Sequence, residues 1–354
     1  MGSDPDSKAS NAEPSDVDGT DASAAAAREA AAAPFRVQRG SAPTLLGRLD
    51  HMMTEHPWYP RVMPFIAYIL LLTIIGFIAE RVPQTYAFLY PLQCIIVVAM
   101  LWRYRKLIPE LTIRFHWLAI PVGVFVFIAW VWVGMVIDEW SQMKHMGLFE
   151  FTRHLWNWSF SPAATQGVTT ATGEAFSFVD YASRSQSVFI RMGLAEGNAL
   201  AWTAFILRLL GMSLVVPLFE ELFIRSAILR SMNDRRNTML GFAQVLSDFP
   251  LIGERIMDSR LGQEAEKHPP MFEREFHRVP LGQLTIFGVF MSTLIFTISH
   301  APRDYAGCII CGIAYCLLLR ATRHKGLGPV CWAHGITNAL LWCYTLHTND
   351  WRFL

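Results

Sequence analysis

The chain has 354 residues, 53% of them hydrophobic and 13% aromatic, with a net charge of +1, and its mean hydropathy is positive. That composition excludes an ordinary soluble enzyme of this length. The near-neutral balance gives no reason to expect a nucleic-acid partner or an acidic one. The charges fall instead in short clusters between apolar runs, the pattern of an all-α polytopic membrane protein.

In chain order, residues 1–45 are rich in Ala, Ser, Asp and Glu. Such a segment buries too little apolar surface to offset chain entropy, so a disordered tail is predicted. It lacks a basic start followed by an apolar core, so no cleaved signal peptide is expected. The first span, near Val62, then serves as the targeting signal of a membrane domain over 46–354. Spans are predicted at about 62–79, 86–102, 117–137, 199–219, 284–299, 305–319 and 327–346, the shorter ones accommodated by tilt or local thinning. An eighth crossing arises if 220–233 re-enters the membrane, giving about seven or eight transmembrane helices.

Basic clusters fix the orientation. Arg103, Arg105 and Lys106 follow the second span; Arg230, Arg235 and Arg236 the fourth; Arg320, Arg323, His324 and Lys325 the sixth. With single crossings all three lie on one side, which the positive-inside rule makes cytoplasmic, along with the N-terminus. The long loop 138–196 is then external, and Trp140, Trp156 and Trp158 suit its interface. The charged stretch 233–280, with Pro269 and Pro270, reads as a cytoplasmic insertion. There is no internal repeat of the kind that marks many transporters. All six cysteines fall inside apolar runs, so no disulfide framework is implied. Cys308 and Cys311 form a C-x-x-C, a redox or metal pattern in other settings but within an apolar helix better read as small buried hydrophobes.

The residues that point to chemistry begin with Glu220 and Glu221, against the end of the apolar run 199–219. Ionisable groups at a membrane helix centre cost roughly 2.5–3.5 kcal/mol each on translocon scales, so such a pair is a candidate functional site. Glu221 and Arg225 are four apart, share a helix face and can neutralise each other. Glu220 points about 100° away around the helix and is free to act as a general base. Pro217 predicts a disturbance one turn earlier. Taken alone, the glutamates are equally consistent with a helix end in the headgroup region. Phe296 and His300 lie one turn apart before Pro302, and a lone His there is usually a cap. His334 and Asn338 also share a face, so the amide can orient the imidazole or bind a substrate oxygen.

The order Glu220-Glu221-x-x-x-Arg225, Phe296-x-x-x-His300, His334-x-x-x-Asn338 resembles the three motifs of the CAAX protease and bacteriocin-processing family of intramembrane endopeptidases, which includes the prenyl-protein endopeptidases. These core motifs cover 199–346. The run Leu207-Arg208-Leu209-Leu210-Gly211, the run Arg278-Val279-Pro280-Leu281-Gly282 and the terminal Trp351-Arg352-Phe353 are similar to the exosortase-associated branch, extending the likeness back to about Pro64. The resemblance implies a conical active-site cavity and peptide-bond hydrolysis on a membrane-associated protein substrate. It implies Glu220 as the activator of water with His300 as partner, His334 and Asn338 at the oxyanion, and Glu221 and Arg225 as support. An exosortase sorting system is the partner it suggests.

Two mechanisms stand: a metal-independent glutamate site, and a divalent metal such as zinc held by Glu220, His300 and His334. Asn338 suits an oxyanion donor better than a ligand, which favours the first. Arg208, in mid-span, needs a partner, and Asp138 or Glu139 is the expected one. From other classes, a non-catalytic scaffold or immunity-type protein on the same fold, and a Cys-His enzyme using Cys308 or Cys331, are the alternatives.

Overall fold

The computed structural model describes residues 44–143, 188–250, 252–301, 304–348 and 351. The chain divides into two units, Met1–Thr54 and Glu55–Leu354. The first contributes one described helix, α1 (Leu45–Glu55); the tail reading for 1–45 otherwise lies outside the described residues. Trp156 and Trp158, with most of the loop 138–196, lie outside them as well, as does the side chain of Trp140.

The described residues of the second unit form helices and no strands: α2 (Tyr59–Arg81), α3 (Tyr86–Arg103), α4 (Ala119–Met143), α5 (Ala199–Ser231), α6 (Arg235–Ser247), α7 (Gly253–Met257), α8 (Arg260–Glu266), α9 (Met271–Arg278), α10 (Ile286–Ile298), α11 (Tyr305–Thr322) and α12 (Gly328–Thr348). Five stretches are long and apolar enough to cross a membrane: Tyr59–Arg81, Pro83–Arg103, Ala119–Val136, Ala199–Ser231 and Tyr305–Lys325. Their outward faces carry large exposed apolar side chains such as Leu70, Phe88, Trp132, Leu214 and Leu317. An exposed apolar surface of that extent marks contact with lipid rather than water. The predicted spans at 284–299 and 327–346 form helices of 13 and 21 residues, but neither is among the five.

The largest departure from the sequence reading is α5. Hydropathy ends the fourth span at Phe219, yet the helix runs unbroken for 33 residues, about 50 Å at 1.5 Å per residue. Two stretches within it, Gly211–Val215 and Leu222–Ile228, are π-helical. The segment 220–233 is therefore mostly the same helix, not a separate re-entrant one.

Small residues let the bundle close. A Cβ on Gly312 of α11 would lie 2.7 Å from Thr293 of α10, and one on Gly123 of α4 2.7 Å from the Ala333 carbonyl of α12. Such residues are what helix crossings in lipid use in place of a hydrophobic driving force. Side chains cap helix entries, among them Asn198 Oδ1, which accepts from Leu200 N and Ala201 N at α5, and Thr285 Oγ1, which accepts from Gly288 N at α10.

One end of the bundle is tied by polar contacts. Arg61, at the start of α2, donates from Nε to Glu110 Oε1 at 2.6 Å and from Nη2 to Oε2 at 2.9 Å. Ser226 of α5 also donates to Glu110, and Arg230 lies 4.0 Å away. Leu327 N donates to the Glu110 carbonyl at 2.8 Å, and Thr112 Oγ1 to Lys325 O at 2.5 Å. The ends of α3, α5 and α11, which carry the three basic clusters, thus meet at one end, as their spacing along the chain predicts. The insertion 233–280 folds there as α6–α9 around Leu240, Ala243, Ala265 and Met271, docked by Arg230 donating to Val279 O and Phe276 O.

Candidate functional site

Glu220 and Glu221 occupy the last two positions of the short α-helical piece Val216–Glu221, between the two π stretches. π-bulges are rare and concentrate at functional sites. This one has a visible cause. Pro217 has no N–H, so the carbonyls of Met212 and Ser213, five and four residues back, lose a helical donor. α12 packs against both: Asn338 Nδ2 donates to Met212 O at 2.8 Å, and Gly335 comes so close to Ser213 O that a Cβ there would collide with it. The disturbance expected at Pro217 is therefore a seam along which α12 approaches α5.

That approach brings His334 to the glutamates. His334 Nδ1 lies 2.8 Å from Glu221 Oε1, and Nε2 lies 3.7 Å from Glu220 Oε2. A carboxylate only accepts, so Nδ1 carries a proton toward Glu221, and Nε2 faces Glu220. Glu221 and Arg225 have no exposed side-chain surface, whereas the Glu220 side chain retains 15%. Arg225 Nε stands 3.1 Å from Glu221 Oε2, yet none of its three nitrogens makes an aligned hydrogen bond. The contact is an ion pair in distance and not a hydrogen bond in angle. The guanidinium also lies over Phe296 at 4.8 Å and Tyr315 at 5.5 Å, whose ring faces attract a cation.

His300 follows the end of α10. Its Nδ1 is 2.8 Å from the Phe296 carbonyl, which fixes the proton on Nδ1 and leaves Nε2 as an acceptor in the neutral ring. The ring rests on Phe296 at 4.5 Å and edges Trp130 at 6.1 Å. Glu220 and His300 share a cavity wall without a direct hydrogen bond; the near neighbour of Glu220 is His334.

The motif residues converge on one cavity of about 140 Å³, lined by Arg208, Glu220, Phe296, His300, His334 and Asn338 together with Trp130, Asp304 and Tyr315. Glu221 and Arg225 do not line it; they contact two residues that do, His334 and Phe296. Arg208 reaches it differently from expectation: it donates to Tyr86 OH and lies 5.2 Å from the Tyr90 ring. The side chain of Asp138, its expected partner, lies outside the described residues. Cys308 and Cys311 are free and buried, and Cys311 contributes to the cavity wall.

Sequence reasoning missed Tyr315, Thr337 and Trp130. Tyr315 OH and Thr337 Oγ1 are 2.8 Å apart, and Thr337 Oγ1 donates to Gly123 O at 2.9 Å, tying α11, α12 and α4 beside His334. Tyr315 follows Cys311 by one helical turn, the only local signal that both face the same way. A larger groove, about 750 Å³, lies over the insertion, but the half-buried Gln244 there has both ends of its amide satisfied by Ala265 O, His268 O and Met271 N. Chemically the smaller cavity is the richer.

The donors available to a metal are Glu220 and the Nε2 atoms of His300 and His334. Among the described residues no three His, Cys, Asp or Glu side chains are grouped to hold an ion. No family model, curated protein or solved structure matches the chain; the likeness to intramembrane endopeptidases rests on the motif residues.

Proposed function

We propose that the chain is an intramembrane endopeptidase that hydrolyses a peptide bond of a membrane-associated protein. One observation carries the reading: four polar residues from three separated motifs, Glu220, His300, His334 and Asn338, line a single small cavity inside an apolar bundle. Polar groups at such depth are expensive to keep without a task. In this reading Glu220 takes a proton from a water that attacks the substrate carbonyl and delivers it to the departing amine, leaving a carboxylic acid, which keeps the water's second proton, and an amine. The Nε2 lone pair of His300 holds the water. Asn338 commits one amide hydrogen to Met212 O and has a second for the oxyanion. His334 donates from Nε2 only when its ring is doubly protonated, and Glu221 stands ready to accept from Nδ1 in that form. Preorganised donors of this type contribute about 2.7–4 kcal/mol each.

We further assign seven crossings, adding α10 and α12 to the five long apolar helices. α10 shows lipid an exposed stripe of Ile286, Phe290, Leu294 and Ile298 at helical spacing, and α12 is enclosed by α4, α5 and α11. The basic clusters put the N-terminus in the cytoplasm of a cell membrane. An exosortase sorting system is the partner this reading suggests.

Glu220→Gln and His334→Ala are expected to abolish processing while the protein inserts normally, read by comparing membrane-protein termini in wild-type and variant cells. Unchanged termini in the Glu220→Gln strain would sink the assignment and leave the scaffold alternative. Zinc retained at one ion per chain, with activity lost on chelation, would replace the metal-independent arrangement by the metal-assisted one.

A further inference from the structure

We infer that the cavity opens at the end of the bundle opposite the basic clusters, so that the scissile bond reaches it from the extracytoplasmic side of the membrane. Three observations fix the direction. The cavity wall includes Asp304 and His300, which flank the turn between the end of α10 and the start of α11. That turn is at the far end of α11 from Arg320, Arg323 and Lys325. Burial deepens the other way: Glu220 and His334 keep some exposed surface, while Glu221 and Arg225 keep none. Beyond Arg225 toward the basic end, the way is filled by Arg61, Ser226 and Glu110, all nearly or wholly buried and bonded to one another.

His334 lies only two turns into α12 from the basic end, so the floor is deep and the cavity is a well sunk from the opposite face. With the basic clusters cytoplasmic, the occupant is an exported segment, a peptide stretch just outside the membrane anchor of a translocated protein. The nature of the occupant rests on the proteolytic reading; the direction of the mouth does not.

The test uses the full chain carrying Cys343→Ser and Cys311→Ala, because Cys343 is the exposed native thiol and Cys311, though buried, contributes to the cavity wall. Into it are placed Asp304→Cys near the mouth, Asn338→Cys inside, and Arg235→Cys on α6 at the basic end, where Arg235 is exposed. Intact cells are treated with a small sulfonated thiosulfonate that does not cross membranes, and adducts are counted by mass before and after permeabilisation. The expected pattern is one adduct on Asp304→Cys and Asn338→Cys in intact cells, and on Arg235→Cys only after permeabilisation. Any other pattern overturns the inference: cavity thiols reacting only after permeabilisation, no reaction at either cavity position, or Arg235→Cys reacting from outside. The readout needs no turnover, so its failure is separate from a failure of the Glu220→Gln comparison.

Discussion

Arg225 is the most constrained residue of the site: no exposed surface, an acidic neighbour one turn away and an aromatic ring on either side. Removing one partner of a buried pair strands the other and costs about 3–5 kcal/mol. Arg225→Met is therefore expected to lower the thermal midpoint in detergent sharply, and Arg225→Met with Glu221→Gln to recover much of the loss. A double variant no more stable than the single one would show that Arg225 acts through packing and not charge. This pair was legible in the sequence, because four residues on a helix set a face. The partnership of Glu221 with His334 was not, because nothing in local spacing reports a contact between residues 113 positions apart. Nor did local spacing report that Arg208 meets the Tyr86 hydroxyl and the Tyr90 ring; its expected acidic partners, Asp138 and Glu139, have side chains outside the described residues.

At the level of elements, the seam between α5 and α12 decides the geometry of the site. Gly335→Ala would push a methyl group into Ser213 O, and overpacking of this kind costs about 1–3 kcal/mol. It is expected to destabilise the protein and to weaken cleavage by moving His334 off Glu221. Gly76→Ala in α2 is the control: open space surrounds it, and Ala gains about 0.5–1 kcal/mol in a helix interior. Equal effects of the two substitutions on the thermal midpoint would mean that the seam is not tight. Hydropathy located α2, α3, α4 and α11 to within a few residues, since lipid-facing helices must be apolar nearly all round. It cut α5 short, because Glu220, Glu221 and Arg225 lower the apolar signal exactly where their mutual pairing permits burial. The insertion was recognisable by its charge, but its four helices are short and draw on a core of only a few side chains.

For the molecule as a whole, the basic end is held by Glu110. Burial disfavours its charged form, but the guanidinium of Arg61 and hydrogen bonds from Arg61 and Ser226 outweigh that and hold its carboxyl below the usual carboxylate range. A depressed folded-state value contributes stability in full above the unfolded value, about 4.3 for Glu, and loses it as pH falls through the folded one. The difference in thermal midpoint between wild type and Glu110→Gln should accordingly be largest near neutrality and shrink below about pH 4.3; a difference constant with pH would remove Glu110 from this role. The gathering of the three basic clusters at one end was readable from span parity alone. Glu110 itself was not, because in a chain of this composition one acidic residue in a short loop has no distinguishing neighbour in sequence. The filled basic end also has a kinetic corollary. If the chain is the endopeptidase proposed above, a well with a sealed bottom empties by the route through which it fills, so both fragments of a cut chain would retreat past Asp304 and His300 before another chain descends, and the fragment that lingers would compete directly with fresh substrate for the same opening.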